Sequence, residues 1–277
     1  MSVARKSFLF IGMTLGISWL PLLPALRQAI PSLAPLFFLF GPVIAATVCA
    51  LLFERGRRLE VLGLSFRPNI WWLVALLLPL ALGLVAATAN IVIAGQDLTS
   101  AQDWKVALTN LGDIAQARYL PGLWLLLPAC ILLSLLTEEP AWRGYLYYLW
   151  RDFGFWRSSV AVGLLWGIWH WPMLLLGVSG EQVGLWGLLE FSGVIVILAV
   201  YATLIRDRAG SAIAVAVFHG AWNSVSGPGV GGAYVVIALL VIGLIVIAWR
   251  QQVHGGSGTQ HVQRKEPADT NAINGVN

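Results

Sequence analysis

Charged residues are scarce in this sequence. Of its 277 residues, 11% are charged and 58% are hydrophobic, whereas a soluble domain carries about 25% charged residues. The mean hydropathy is +0.78. This composition excludes an ordinary soluble domain and indicates an integral membrane protein with most of its mass in the bilayer.

Cysteine is also nearly absent. Cys49 and Cys130 are the two cysteines, and both lie in apolar stretches without forming a C-x-x-C pair. This pattern excludes a disulfide framework and a thiolate metal site. The H-E-x-x-H signature of zinc proteases is missing as well. Although the net charge is +4, the basic residues flank apolar runs, so they indicate membrane orientation rather than nucleic-acid binding.

The apolar runs predict eight membrane-spanning helices of about 20 residues each. The first run has no small-residue cleavage site after it, so we interpret it as a retained span and not as a signal peptide. We therefore expect an all-α, polytopic transmembrane helical bundle over residues 1–250 and a disordered polar tail over 251–277. The predicted spans are about 7–26, 35–53, 70–94, 121–149, 158–176, 184–205, 211–225 and 230–249.

Basic residues are distributed unequally between the predicted loops. With eight spans, fourteen of the 17 Lys and Arg residues fall on the side that carries both termini. Arg27, Lys105 and Arg118 fall on the other side. Because loops rich in Lys and Arg remain in the cytoplasm, both termini are predicted to be cytoplasmic.

Ionisable residues inside the predicted spans are few, and each is costly in lipid unless a partner or a function uses it. The acids and histidines among them are Glu138, Glu139, Glu190, His170 and His219. A helical rise of about 1.5 Å per residue places the first two acids about 16 Å, His170 about 18 Å and His219 about 12 Å from the cytoplasmic ends of their spans. Three helices are thus predicted to bring these groups to one layer, while Glu190 lies near the outer end of its span.

Spacing within the helices predicts local pairs. Glu139 and Arg143 are four residues apart, acid before base, which favours a salt bridge. Glu138 has no basic residue of its own within a helical turn. Asn223 follows His219 by four residues, so the two are predicted to share a helix face.

Proline and glycine indicate how these helices bend and pack. Pro140 removes a backbone hydrogen bond and is predicted to bend the fourth span at the acids. Gly163 and Gly167 have the small-xxx-small spacing that lets a neighbouring helix approach closely.

Two chemical routes to amide hydrolysis fit these residues. A carboxylate beside an imidazole can activate a water as general base, while a second histidine and an amide stabilise the oxyanion. Alternatively, Glu138, His170 and His219 could ligate a divalent metal such as Zn²⁺ that activates a bound water. Each residue taken singly would also fit a structural hydrogen bond between helices.

Three segments resemble the motifs of a known family. EEPAWR (138–143) matches E-E-x-x-x-R, WGIWH (166–170) resembles F-x-x-x-H, and FHGAWN (218–223) contains H-x-x-x-N. In this order they are similar to the signatures of the CPBP intramembrane proteases. That family is also called Abi, or CAAX-protease-and-bacteriocin-processing, and it includes the type II CAAX prenyl endopeptidases.

The resemblance implies a role for each motif residue. These roles are Glu138 as the base that activates water, Glu139 and Arg143 as its support, His170 as the group that orients or shares the water, and His219 and Asn223 as oxyanion donors. The family has been described both as metal-dependent and as a glutamate-type hydrolase, and both remain open here. Trp166 replaces the usual Phe of the second motif, which is expected to alter pocket shape more than chemistry.

The combined prediction is an endopeptidase of the cell or inner membrane whose active site opens toward the cytoplasm. By resemblance it would perform CAAX-type processing of a prenylated or other membrane-associated peptide or protein, with membrane lipid as a further partner. A non-catalytic immunity or partner-binding protein is the main alternative, because the same motifs could serve packing. A proton-coupled transporter would need a polar path to both faces or paired broken helices, and the sequence contains neither.

Overall fold

The computed structural model describes residues 1–103, 123–177, 183–225 and 235–248. Those residues form helices and turns, and no β-strand occurs among them, so the all-α prediction is confirmed. Met1–Ile237 is one compact unit, and Ala238–Asn277 is a second. The tail predicted over 251–277 lies outside the described residues.

Most of the apolar runs of the sequence form helices, and short helices also occur between them. The helices are α1 (Val3–Trp19), α2 (Pro24–Ala29), α3 (Ala34–Phe53), α4 (Arg58–Val61), α5 (Ile70–Ile93), α6 (Leu123–Thr137), α7 (Tyr147–Trp150), α8 (Phe155–Leu175), α9 (Leu185–Ala209), α10 (Ala212–Val225) and α11 (Val235–Ala248). A π-helix, Pro140–Leu146, lies between α6 and α7. Within the first unit, α8 packs against α9, α1 against α3, and α10 against α5 and α6.

Several of these helices can cross a membrane. By length and hydropathy, α3, α5, α8 and α9 qualify among the described residues. The bent pair Leu125–Thr137 and Pro140–Phe153 makes a fifth if it is one span, and α10 and α11 are apolar but shorter. The helical membrane architecture is therefore confirmed, whereas the number of eight spans and the cytoplasmic termini remain predictions.

The first helix ends earlier than predicted. The sequence favoured a span over 7–26, but α1 ends at Trp19 and a 3₁₀ turn, Leu20–Leu22, follows it. Pro21 lies in that turn and Pro24 begins α2. Proline lacks an N–H and fits the first turn of a helix, and both prolines occupy such positions where the apolar run is divided.

The fourth predicted span bends at the acids. Its two parts meet at an angle of 42°, which confirms the bend expected from Pro140. The carbonyl of Glu138 accepts hydrogen bonds from the N–H groups of Ala141, at 2.9 Å, and Trp142, at 3.0 Å. The following turns are π-helical, a form that is common at functional sites. The helix is therefore wider immediately after the two acids.

Glycines allow close contacts between the motif-bearing helices and their neighbours. A Cβ added at Gly220 of α10 would lie 2.3 Å from the backbone nitrogen of Ile131 in α6. One added at Gly163 of α8 would lie 2.8 Å from the Cα atom of Val196 in α9, and Gly167 is nearly as close to Ser192. The close approach predicted for Gly163 and Gly167 is thus confirmed, with α9 as the neighbour.

The contact at Gly220 generates a stability prediction. Gly220→Ala should lower the free energy of unfolding by about 1–3 kcal/mol, because the new methyl group meets rigid backbone. Gly193→Ala in α9 is the matched control, since nothing lies within 4 Å of its added Cβ, and alanine favours a helix more than glycine does. Unfolding in detergent followed by circular dichroism measures both. Equal stability of the two variants would contradict the packing described here.

Candidate active site

The two adjacent glutamates are buried at the bend between α6 and the π-helix. Glu138 is 7% exposed and Glu139 is 0% exposed. A buried carboxylate is costly unless hydrogen bonds or opposite charges compensate it. Each acid receives this compensation from a different helix of the bundle.

Glu139 bonds to a cation of its own segment and to an imidazole of α10. Arg143 Nη1 donates to Glu139 Oε1 at 3.1 Å, so the predicted salt bridge is confirmed. His219 Nδ1 lies 2.8 Å from the same oxygen. Since a carboxylate oxygen accepts, Nδ1 carries the proton in this bond and Nε2 faces away from Glu139.

Glu138 is held by an aromatic residue of α8. The indole Nε1–H of Trp166 donates to Glu138 Oε2 at 2.6 Å. The sequence indicated only a difference in pocket shape at this position, so this polar contact was missed. A signal was available, because a buried tryptophan N–H usually finds an acceptor and the usual phenylalanine has no N–H to donate.

His170 lies one turn further along α8 in an aromatic environment. Its Nδ1 lies 2.8 Å from the carbonyl oxygen of Trp166. A carbonyl can only accept, so Nδ1 carries the proton and the neutral ring presents its lone pair on Nε2. The rings of Trp169 and Phe191 lie 4.5 and 5.1 Å from the imidazole, centroid to centroid.

Trp166 lies at the centre of the cluster. Its ring centroid is 5.1 Å from that of His219 and 5.9 Å from that of His170. The Arg143 guanidinium carbon lies 4.2 Å from the Trp166 ring centroid. The predicted convergence of acids and imidazoles from three helices is therefore confirmed, whereas the catalytic role of each residue remains a prediction.

Two predicted polar residues are exposed, unlike the buried acids and His219. Asn223 is exposed on α10, although it lies one helical turn after His219. Its neighbour Trp222, and not Asn223, lines the cavity beside Glu139. Glu190 is exposed near the start of α9, in agreement with its predicted position away from the ionisable layer.

A small cavity adjoins Glu139. It is lined by Glu139, Arg143 and His219 and by apolar residues that include Leu198 and Phe218. Glu139 Oε2 and the Nε and Nη2 atoms of Arg143 are buried without a hydrogen-bond partner among the described residues. The volume of the cavity is about 10 Å³, which is about what one water needs, and the surface that it presents is apolar.

The described donor atoms do not form a metal site. In the part of the chain that the structure describes, no three His, Cys, Asp or Glu side chains are grouped to hold a metal ion. A catalytic zinc site usually needs three protein ligands. The geometry does not support ligation of Zn²⁺ by Glu138, His170 and His219, which remains a prediction from the sequence.

Comparison with known families agrees with the motifs. Residues 120–225 match the family model described as type II CAAX prenyl endopeptidase Rce1-like. This match includes all six predicted site residues and supports assignment to the CPBP family of CAAX proteases, so the resemblance is confirmed. It indicates a membrane protease of the CAAX type. No curated protein matches the chain.

The buried ion pair generates a second stability prediction. Arg143→Met should lower the free energy of unfolding by about 3–5 kcal/mol, because it leaves the Glu139 carboxylate buried without its cation. The matched control is Arg57→Met, which removes the arginine from an Arg57–Glu60 pair that is 51% and 59% exposed. Solvent screens an exposed pair, so its loss should have little effect on stability. Denaturant titration in detergent compares the two, and equal losses would contradict the burial described here.

Proposed function

We propose that this protein is an intramembrane endopeptidase that hydrolyses a peptide bond near the cytoplasmic face with a water activated by Glu138. One observation carries the proposal. Two buried acids of one helical segment are hydrogen-bonded to Trp166 of the second motif and to His219 of the third. The match to CAAX endopeptidases supports the same reaction class.

In the first step, Glu138 takes a proton from the attacking water. Trp166 holds Oε2 of this carboxylate, and in the proposal Oε1 accepts the proton as general base. The water oxygen forms a bond to the carbonyl carbon of the substrate. His170 Nε2, whose lone pair follows from the bond that Nδ1 makes, accepts a hydrogen bond from the same water and orients it.

The second step stabilises the negative charge that develops on the substrate oxygen. In the proposal both ring nitrogens of His219 donate, Nδ1 to the Glu139 carboxylate and Nε2 to the substrate oxygen. The two acids carry two negative charges, and the Arg143 guanidinium compensates the one that His219 does not. Asn223, one helical turn further, is proposed as a second oxyanion donor from its exposed position. The C–N bond then breaks, and the proton on Glu138 passes to the leaving amine.

The proposed substrate is a peptide attached to the membrane. CAAX-type processing of a prenylated protein would place the lipid among the apolar side chains and the C-terminal peptide at Glu138. The exposed apolar faces of the helices and the apolar wall of the cavity support a substrate of this kind. The excess of basic residues on one side favours a site that opens toward the cytoplasm.

The main alternative is a non-catalytic immunity or partner-binding membrane protein. The same hydrogen bonds would then serve only to hold helices together. The two functions differ in what they require of Glu138. A packing role needs only a group that accepts from Trp166, whereas a general base needs a carboxylate.

Glu138→Gln therefore tests the proposal. Glutamine keeps the size and an acceptor oxygen but cannot take up the proton, so kcat should fall by about 10²- to 10⁴-fold. Glu54→Gln is the matched control, because Glu54 is also 7% exposed but bonds to Lys6 and Tyr148 outside the cluster. Cleavage of a prenylated CAAX peptide and its unprenylated form by the purified protein measures both. Full turnover by Glu138→Gln would contradict the assignment of the base.

Chelation distinguishes the two chemical routes. Because the described donor atoms do not form a three-ligand group, no step above uses a metal, and we expect EDTA to leave the cleavage rate unchanged. The measurement is the initial rate with and without chelator after dialysis. A loss of activity that one divalent metal restores would contradict direct activation of water by the carboxylate.

A further inference from the structure

The tryptophan in the second motif has a polar function that a phenylalanine could not perform. We propose that Trp166 is a positioning residue, whose indole N–H holds Oε2 of Glu138 and thereby orients the carboxylate toward the attacking water. This inference rests on the proposed function, because it concerns how the general base is aligned. It departs from the sequence expectation, in which Trp166 affected only pocket shape.

Burial makes this contact strong. Trp166 is 3% exposed and Glu138 is 7% exposed, so little water competes for either group. A hydrogen bond to a charged acceptor is about twice as strong as a neutral one. The 2.6 Å separation of Nε1 and Oε2 is short, as is usual for a charge-assisted bond. Without the N–H, the Glu138 oxygen would lack this donor in a buried site.

The indole is itself held in place from two directions. The guanidinium of Arg143 lies over its ring at 4.2 Å, a cation–π contact that also draws electron density from the indole and improves its N–H as a donor. The backbone of Trp166 is tied to His170 through its carbonyl. Gly167, the next residue, packs closely against Ser192 of α9. The N–H therefore has a defined direction.

Trp166 differs from two other tryptophans of α8 because its N–H donates to a carboxylate. Trp169 Nε1 donates to the hydroxyl of Ser18 at 2.9 Å, and Trp171 Nε1 donates to the hydroxyl of Ser192 at 3.0 Å. Both are neutral acceptors. Trp171 thus offers a control on the same helix, with the same donor and a neutral partner.

Loss of the N–H should affect the chemical step and not substrate binding. With Oε2 released, the carboxylate can rotate about its last side-chain bond, and the productive orientation is populated for less of the time. Since the hydrogen bond is to a charged group, its loss should lower kcat by about 10- to 100-fold. KM should change by less than about twofold, because Trp166 positions the base and no substrate contact is assigned to its N–H.

The test replaces one indole at a time by benzothienylalanine, which keeps the shape of the ring and has sulfur in place of the N–H. Amber suppression introduces it at position 166 or, as control, at position 171, and Trp166→Phe is added as a genetically simple variant. We expect the kcat loss at position 166 and a change below about twofold at position 171. Full kcat with the isostere at 166, or an equal loss at 171, would overturn the inference.

A spectroscopic readout separates this inference from the proposed function. In protein labelled with ¹⁵N-tryptophan, the resonance that disappears in Trp166→Phe identifies the Trp166 indole. Glu138→Gln should move that resonance upfield, because a neutral acceptor replaces a charged one, and Glu54→Gln should leave it in place. If the purified protein cleaves no peptide, the proposed function fails. If Glu138→Gln leaves the chemical shift of the indole resonance unchanged, the positioning role fails even where cleavage is observed.

Discussion

The burial of two adjacent carboxylates is the constraint on which the rest of this structure depends. Neither acid can remain charged in a low-dielectric interior without donors or cations nearby. Arg143, His219 and Trp166 supply them from three helical segments. The acids therefore act as the point at which the helices are joined, and the cost of burying them is offset only when the bundle is assembled.

The backbone provides the room and the closeness that this arrangement needs. At Pro140 the helix loses a donor, bends by 42° and continues as a π-helix, which presents both acids toward neighbouring helices. At Gly220 the neighbouring helix α6 approaches to a distance that a side chain would prevent. The bend and the close approach together allow hydrogen bonds between the side chains of different motifs.

The two acids have different partners, and this difference separates their roles. Oε1 of Glu139 contacts both a guanidinium and an imidazole. Its charge is therefore compensated within a buried network that also orients His219. Oε2 of Glu138 receives one neutral donor, which orients the carboxylate without neutralising it. Glu138, which has the weaker compensation, is the carboxylate proposed as the general base.

The amino-acid sequence by itself determined the helical membrane architecture, the Glu139–Arg143 pair and the bend at Pro140. These features depend on apolar content, on i,i+4 spacing and on the missing N–H of proline, all of which act within one segment. Only the tertiary structure decided that His219 bonds to Glu139, that Trp166 bonds to Glu138 and that Asn223 is exposed. Such partners depend on how each helix is rotated about its axis and how closely it packs, and no spacing along the chain contains that information.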